Sequence, residues 1–222
     1  HKVLRKIKHP SIELPVDLVE DGERGPAIIF DDDFKTTSLT NLVGHKGPSN
    51  LEDIKVLLFN IAECIQHSHS RTCTHRSLSP DCIFVSEDNS IEIRNWTNAS
   101  TSLNSTTHDH ITTEITGAYQ APELTTKKDT VDPASDIFSL GCIAYFLSTG
   151  EHPPTRENGF CRVTSQGIDA EEKISKLSDE LAKIILRSTI NDRNDRLATA
   201  TDFIDLLTQK LKIEPAQKII DI

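Results

Sequence analysis

The stretch THRSLSPDCIFV, Thr74 to Val85, decides how the chain is read. A His75-Arg76 pair is followed by Ser77, Ser79 and Pro80, and then by an apolar run ending at Val85. Polar residues around a proline disfavour regular structure, and a short apolar run bounded by turn residues reads as a buried strand. The segment is therefore a loop feeding a strand. Upstream, Leu51, Ile54, Leu57, Leu58, Ile61, Cys64 and Ile65 fall at helical spacing and form one apolar stripe. Ser49, with Glu52 three residues on, reads as the capping box that starts this helix. Downstream, CIFVS and SIEIRNW read as two short strands around the turn EDN.

Further out, Val3, Leu4 and Ile7 share helical spacing, so HKVLRKIKHPSI reads as a helix end stopped by Pro10. IELPVDLVED and GPAIIF read as two strands around the turn DGERG. The polar stretch 31–50 holds room for one short helix. Residues 97–117 are rich in Ser and Thr and read as a long loop, and 155–177 read as irregular. ASDIFSLGCIAYFLSTG, residues 134–150, is apolar almost all round and therefore a buried helix, closed by Gly150 and the prolines of EHPP. SDELAKIILRSTI and ATATDFIDLLTQKLK read as amphipathic helices.

The 222 residues are enough for one large domain or two small lobes. A net charge of −10, spread along the chain, argues against binding a nucleic-acid backbone. No apolar run approaches the ~20 residues of a membrane span, and no secretory leader opens the sequence. Five scattered cysteines (Cys64, Cys73, Cys82, Cys142, Cys161) point to reduced thiols and a cytoplasmic setting rather than a disulfide framework. The sequence has no Met and opens inside an apparent helix, so it reads as a fragment of something longer.

Five segments, in order, resemble the eukaryotic-type Ser/Thr protein kinase family. LRKIKHPSI is similar to the end of the helix that closes the amino-terminal lobe. IQHSHSRTCTHRSLSPDCIFV is similar to the helix and catalytic loop, AYQAPEL to the end of the activation segment, SDIFSLGCIAYFLSTG to the buried central helix, and NDRNDRLATATDFI to the closing arginine motif. The resemblance implies an α+β, protein-kinase-like fold. Residues 1–34 would be a remnant of the amino-terminal lobe and hinge, with the end of its helix and two strands. Residues 35–222 would form the mainly helical carboxy-terminal lobe.

The family's catalytic loop reads H-R-D-L-x-x-x-N with a lysine two residues after the Asp. The Asp accepts the substrate hydroxyl proton and the Asn holds a magnesium ion. Here those three positions are Ser77, Ser79 and Cys82, and the magnesium-binding Asp-Phe-Gly becomes Asn95-Trp96-Thr97. Serine lacks the charge that orients a hydroxyl, a neutral thiol is a poor ligand for a hard cation, and Thr97 restricts a glycine hinge. The resemblance thus implies no catalytic residues, with Ser77, Ser79, Cys82 and Asn95 as degenerate positions. It also implies a structural set: His75, Arg76, Glu123, Asp136, Gly141 and Arg196. Glu123 would pair with Arg196, Asp136 would accept hydrogen bonds from the loop backbone, and Gly141 would let helix and loop pack closely.

Bland readings stand beside sharper ones. Arg76 is a structural hydrogen bonder before it is a phosphate dock. Thr116 reads as a turn stabiliser. His67, His69 and His75 invite a metal site, but His69 matches a helix histidine of the family. Cys73 and Cys82 read as core or loop thiols. Neither a Gly-rich loop nor a strand lysine stands in the sequence, so cofactor-binding residues are unassigned and no metal is expected. ATP stays open as a ligand, while the resemblance points away from magnesium. The expected function is a catalytically inactive kinase-like domain that regulates or scaffolds within a larger protein. Its partners would be another protein or other domains of the same polypeptide, with no nucleic acid and no membrane. The alternatives are a nucleotide sensor and an atypical active kinase in which Asn95 and Asp81 hold one metal ion.

Overall fold

A computed structural model describes residues 7–19, 27–30, 35–48, 50–101, 117–125 and 132–211. Val3, Leu4, Ser49, Thr116 and the DGERG turn lie outside the described residues. The chain begins with a two-stranded antiparallel ribbon, β1 (Pro15–Val19) and β2 (Ala27–Phe30), with a bulge between Pro15 and Asp17. A short strand β3 (Thr37–Ser38) leads into α1 (Leu39–Lys46), whose amino end is capped by Ser38 accepting from the Asn41 amide. Helix α2 (Leu51–His69) follows. Its cap is Asn50, whose side chain accepts from the Asp53 amide at 3.0 Å, one residue later than the Ser49 expectation. Asn and Ser offer the same acceptor at such a position, and the backbone decides which one sits at the boundary. The predicted stripe is buried from Ile54 to Ile65, but Leu51 is exposed at the helix tip.

The loop read at the outset begins with β4 (Cys73–Thr74), which pairs with β7 (Ser100–Thr101), and continues through a 3₁₀ turn, Pro80–Cys82. It enters β5 (Ile83–Val85), which pairs antiparallel with β6 (Ile91–Ile93) on one side and with β3 on the other. Ile12 bridges to Ile93 in parallel, and the Cys64 thiol donates to the Ser11 carbonyl at 3.5 Å, which fastens the first segment to this hairpin and to α2.

Helix α3 (Ala134–Thr149) is buried from Ala134 to Leu147, as an apolar surface on every side requires. It ends at Gly150, whose φ of 74° only glycine adopts without strain. Residues 155–177, expected to be irregular, contain a hairpin of β8 (Val163–Thr164) and β9 (Gly167–Ile168) and a single turn, α4 (Glu171–Ile174). Strands of two residues are too short to show a period in sequence. Helix α5 (Asp179–Ser188) is capped by Ser178. Helix α6 (Ala200–Leu211) is preceded by a reciprocal pair in which the Asp202 amide donates to Thr199 Oγ1 and the Thr199 amide donates to Asp202. One apolar core runs from Ile7 and Ile12 through α2 and α3 to Phe203 and Leu207. No described helix is long and apolar enough to cross a membrane. The architecture is α+β and mostly helical, as expected.

Candidate functional site

The site is organised around one buried carboxylate. Asp136, in the first turn of α3, is fully buried. Its Oδ2 accepts from the His75 amide and from His69 Nε2, both at 2.8 Å, and its Oδ1 accepts from the Arg76 amide at 2.8 Å. Burial alone would raise the Asp136 pKa. The hydrogen bond and charge of His69, the His75 imidazole and the Arg76 amide outweigh it and leave the carboxyl below its ordinary value. The carboxylate thereby holds Arg76 in a left-handed backbone, φ 68°, a conformation that costs about 1–3 kcal/mol and persists only when its surroundings fix it.

His75 is the second anchor, and its hydrogen bonds assign its tautomer. Nε2 faces the Arg94 carbonyl at 3.1 Å, an acceptor only, so Nε2 carries the hydrogen. Nδ1 accepts from the Ser77 amide at 3.3 Å. The neutral ring satisfies both partners. Burial lowers its pKa, opposed in part by Asp136 and the Arg94 carbonyl. The Trp96 and His75 rings meet edge to face with their centres 4.5 Å apart, and Trp96 Nε1 donates to the Ile93 carbonyl at 2.8 Å. Asn95, just before Trp96, is also left-handed, φ 62°.

Ser77, Ser79 and Cys82 bond to the protein itself. Ser77 Oγ accepts from Asn98 Nδ2 at 2.7 Å. Ser79 is buried, and its amide donates to Cys82 Sγ at 3.3 Å while the Cys82 thiol donates back to the Ser79 carbonyl at 3.1 Å. Burial pushes the Cys82 thiol up to about 12, so it stays protonated. Asp81 is exposed and accepts from Thr40 on α1 at 2.7 Å. The side chain of Thr97 lies outside the described residues. The three histidines do not converge: His69 serves Asp136, His75 serves Arg94 and Ser77, and His67 meets His9 and Arg71. Among the described residues no three His, Cys, Asp or Glu side chains are gathered as a metal site. A protonated thiol bound to its own loop does not fit a magnesium ion, and the Asn95 amide offers it one neutral oxygen in place of a carboxylate.

Farther from the loop, Glu123 and Arg196 meet in a two-pronged ion pair, Nη1 to Oε1 at 2.6 Å and Nη2 to Oε2 at 2.7 Å. Gly141 lies where α3 crosses the end of α5. A methyl group there would stand 2.6 Å from Ser188 Cβ and from Thr189 Cγ2.

A family profile described as "Protein kinase domain" matches residues 1–219. This chain belongs to the protein kinase domain family. It is similar to the serine/threonine-protein kinase PknB of Mycobacterium leprae, 25% identical over 203 residues, which are 88% of this chain and 32% of the relative. PknB of Mycobacterium tuberculosis is also 25% identical, over 204 residues, 88% of this chain and 32% of the relative. A probable serine/threonine-protein kinase of Corynebacterium efficiens is 26% identical over 210 residues, 89% of this chain and 32% of the relative. The chain spans about a third of the length of these curated relatives.

In this kinase domain one site residue escaped the sequence reading. Arg94, the residue before Asn95, lies with its guanidinium 3.9 Å above the centre of the Phe84 ring. Its Nε meets Glu92 at 2.8 Å and Glu13 at 3.5 Å, and Nη2 donates to Thr36 Oγ1 at 3.3 Å. The signal was strand alternation: Ile83, Val85, Ile91 and Ile93 take the core face, which leaves Phe84, Glu92 and Arg94 together on the other.

Proposed function

We propose that this protein kinase domain transfers no phosphate and acts instead by binding a protein or another domain of its own polypeptide. The observation that carries this reading is the loop itself. The Asp136 carboxylate holds His75 and Arg76 in a defined shape, while Ser77, Ser79 and Cys82 present no carboxylate, amine or amide at the three catalytic-loop positions, and Asn95 puts a neutral amide where the family has a metal-binding carboxylate. Phosphoryl transfer rests on positioning and charge stabilisation, and one such group is worth roughly 3 kcal/mol. With all four altered, little of that stabilisation remains.

The competing reading, an active serine/threonine kinase, draws on the chain's similarity to serine/threonine-protein kinases. One experiment separates the two. The full protein is incubated with γ-labelled ATP, magnesium or manganese, and general protein substrates. Incorporation at the background level is expected. Labelling that disappears in Ser77→Ala or Asn95→Ala would establish the active reading.

A further inference from the structure

In a nucleotide-binding kinase the metal ions that bridge the β- and γ-phosphates are held at the positions that are Cys82 and Asn95 here. Cys82 stands across the hairpin from Arg94, the residue before Asn95: the Arg94 amide donates to the Cys82 carbonyl at 2.8 Å. A nucleoside that extends from those phosphates along the hairpin would meet the face that continues from Cys82. That face consists of Phe84 and Glu92, which are paired across the ladder, and Arg94. Glu13 and Thr36 border it from the segments before β1 and β3.

This floor is already covered. The Arg94 guanidinium lies over the Phe84 ring, its Cζ 3.9 Å from the ring centre, and so covers an aromatic face of the kind on which a nucleobase stacks. It is not a surface group draped across a ring: the Arg94 side chain is 13% exposed and that of Glu13 is 11% exposed. Withdrawing it would take the shared cation from Glu13, which is mostly buried, and from Glu92, whose side chain is 31% exposed. Two planar groups cannot stack on the same face of one ring.

We propose that Arg94 is a built-in occupant of the nucleobase slot. Its guanidinium, stacked on Phe84 and tied to Glu13 and Glu92, takes the place of a purine ring and closes the domain to adenine nucleotides. This deepens the non-catalytic reading and rests on it, because a domain that transfers phosphate must admit the nucleotide.

The test titrates the full protein with adenosine, with ADP and with ATP, each with and without magnesium, by calorimetry and by thermal shift through the millimolar range. The native protein is expected to show no saturable binding. The Glu13→Gln/Arg94→Ala double variant, which removes the plug and one of the carboxylates it neutralises, is expected to gain adenosine and ADP binding at least about tenfold tighter than any native signal. Saturable ADP binding by the native protein, competed by adenosine, overturns the proposal. So does a folded double variant with no gain. If the double variant does not fold, Arg94→Ser takes its place, and the native titration stands as a test by itself. Labelled-phosphate transfer is measured on the same preparations. Native protein that binds ADP but transfers nothing sinks the slot and leaves the non-catalytic reading intact, whereas native transfer sinks both.

Discussion

Arg196 uses every hydrogen-bond donor it has. Nε donates to the Ile190 carbonyl at 2.6 Å, Nη1 to Glu123 and the Ala134 carbonyl, and Nη2 to Glu123 and the Asn191 carbonyl. Only a guanidinium has five N–H groups in one plane. Arg196→Met is therefore expected to cost about 3–5 kcal/mol in urea unfolding, because Glu123 and three carbonyls lose their partner. Arg196→Lys should recover only part of that loss, since an ammonium has three donors and no fork; full recovery would show that charge alone matters. This pair was legible in the sequence, because Glu123 and Arg196 each stand inside a recognisable segment. Arg94 was not. Nothing in the letters RNW says where a guanidinium will lie until the pairing of β5 with β6 puts it beside Phe84 and Glu92.

Two glycines on two helices predict opposite signs. On α3, Gly141 faces α5 so closely that a Cβ would meet Ser188 and Thr189 at 2.6 Å. Gly141→Ala gains helix propensity but must push the helices apart, and overpacking of this kind costs about 1–3 kcal/mol. On α1, Gly44 has nothing within 4 Å of its would-be Cβ, so Gly44→Ala should stabilise by about 0.5–1 kcal/mol. Thermal unfolding of both variants reads the two signs. If both substitutions stabilised, the close crossing of α3 and α5 would be refuted. At this scale α2, α5 and α6 were legible, because ten or more residues of apolar pattern leave one choice of period, and α3 was legible because an apolar run of 16 residues is too long for a strand. The hairpin of β8 and β9 was not, because it is held by the Ile168 amide donating to Thr189 Oγ1 at 3.0 Å and by packing on α5, which are tertiary facts.

For the whole molecule, pH is the revealing variable. Burial holds His75 below its ordinary value of 6.5, and His9 and His67 are lowered as well, chiefly by burial. An unfolded chain therefore binds more protons than the folded one once pH falls below about 6.5, and stability falls with pH from there. Asp136 adds to the loss only in stronger acid: its stabilisation is complete above the ordinary carboxyl value of 3.8 and disappears as pH drops through its lower folded value. The melting temperature should accordingly be lower at pH 5.5 than at pH 7.5, and a level profile across that interval would contradict a neutral, buried His75. The family and overall architecture were legible at this scale because five segments kept their order, while the fastening of Ile12 to Ile93 emerged only in three dimensions. The same burial governs the sulfur chemistry. All five thiols are buried, and burial raises those of Cys64, Cys73, Cys82 and Cys142. Thiolates are the form that electrophiles attack, so the folded chain carries five potential nucleophiles and offers almost none; alkylating reagents would find them only as the molecule opens.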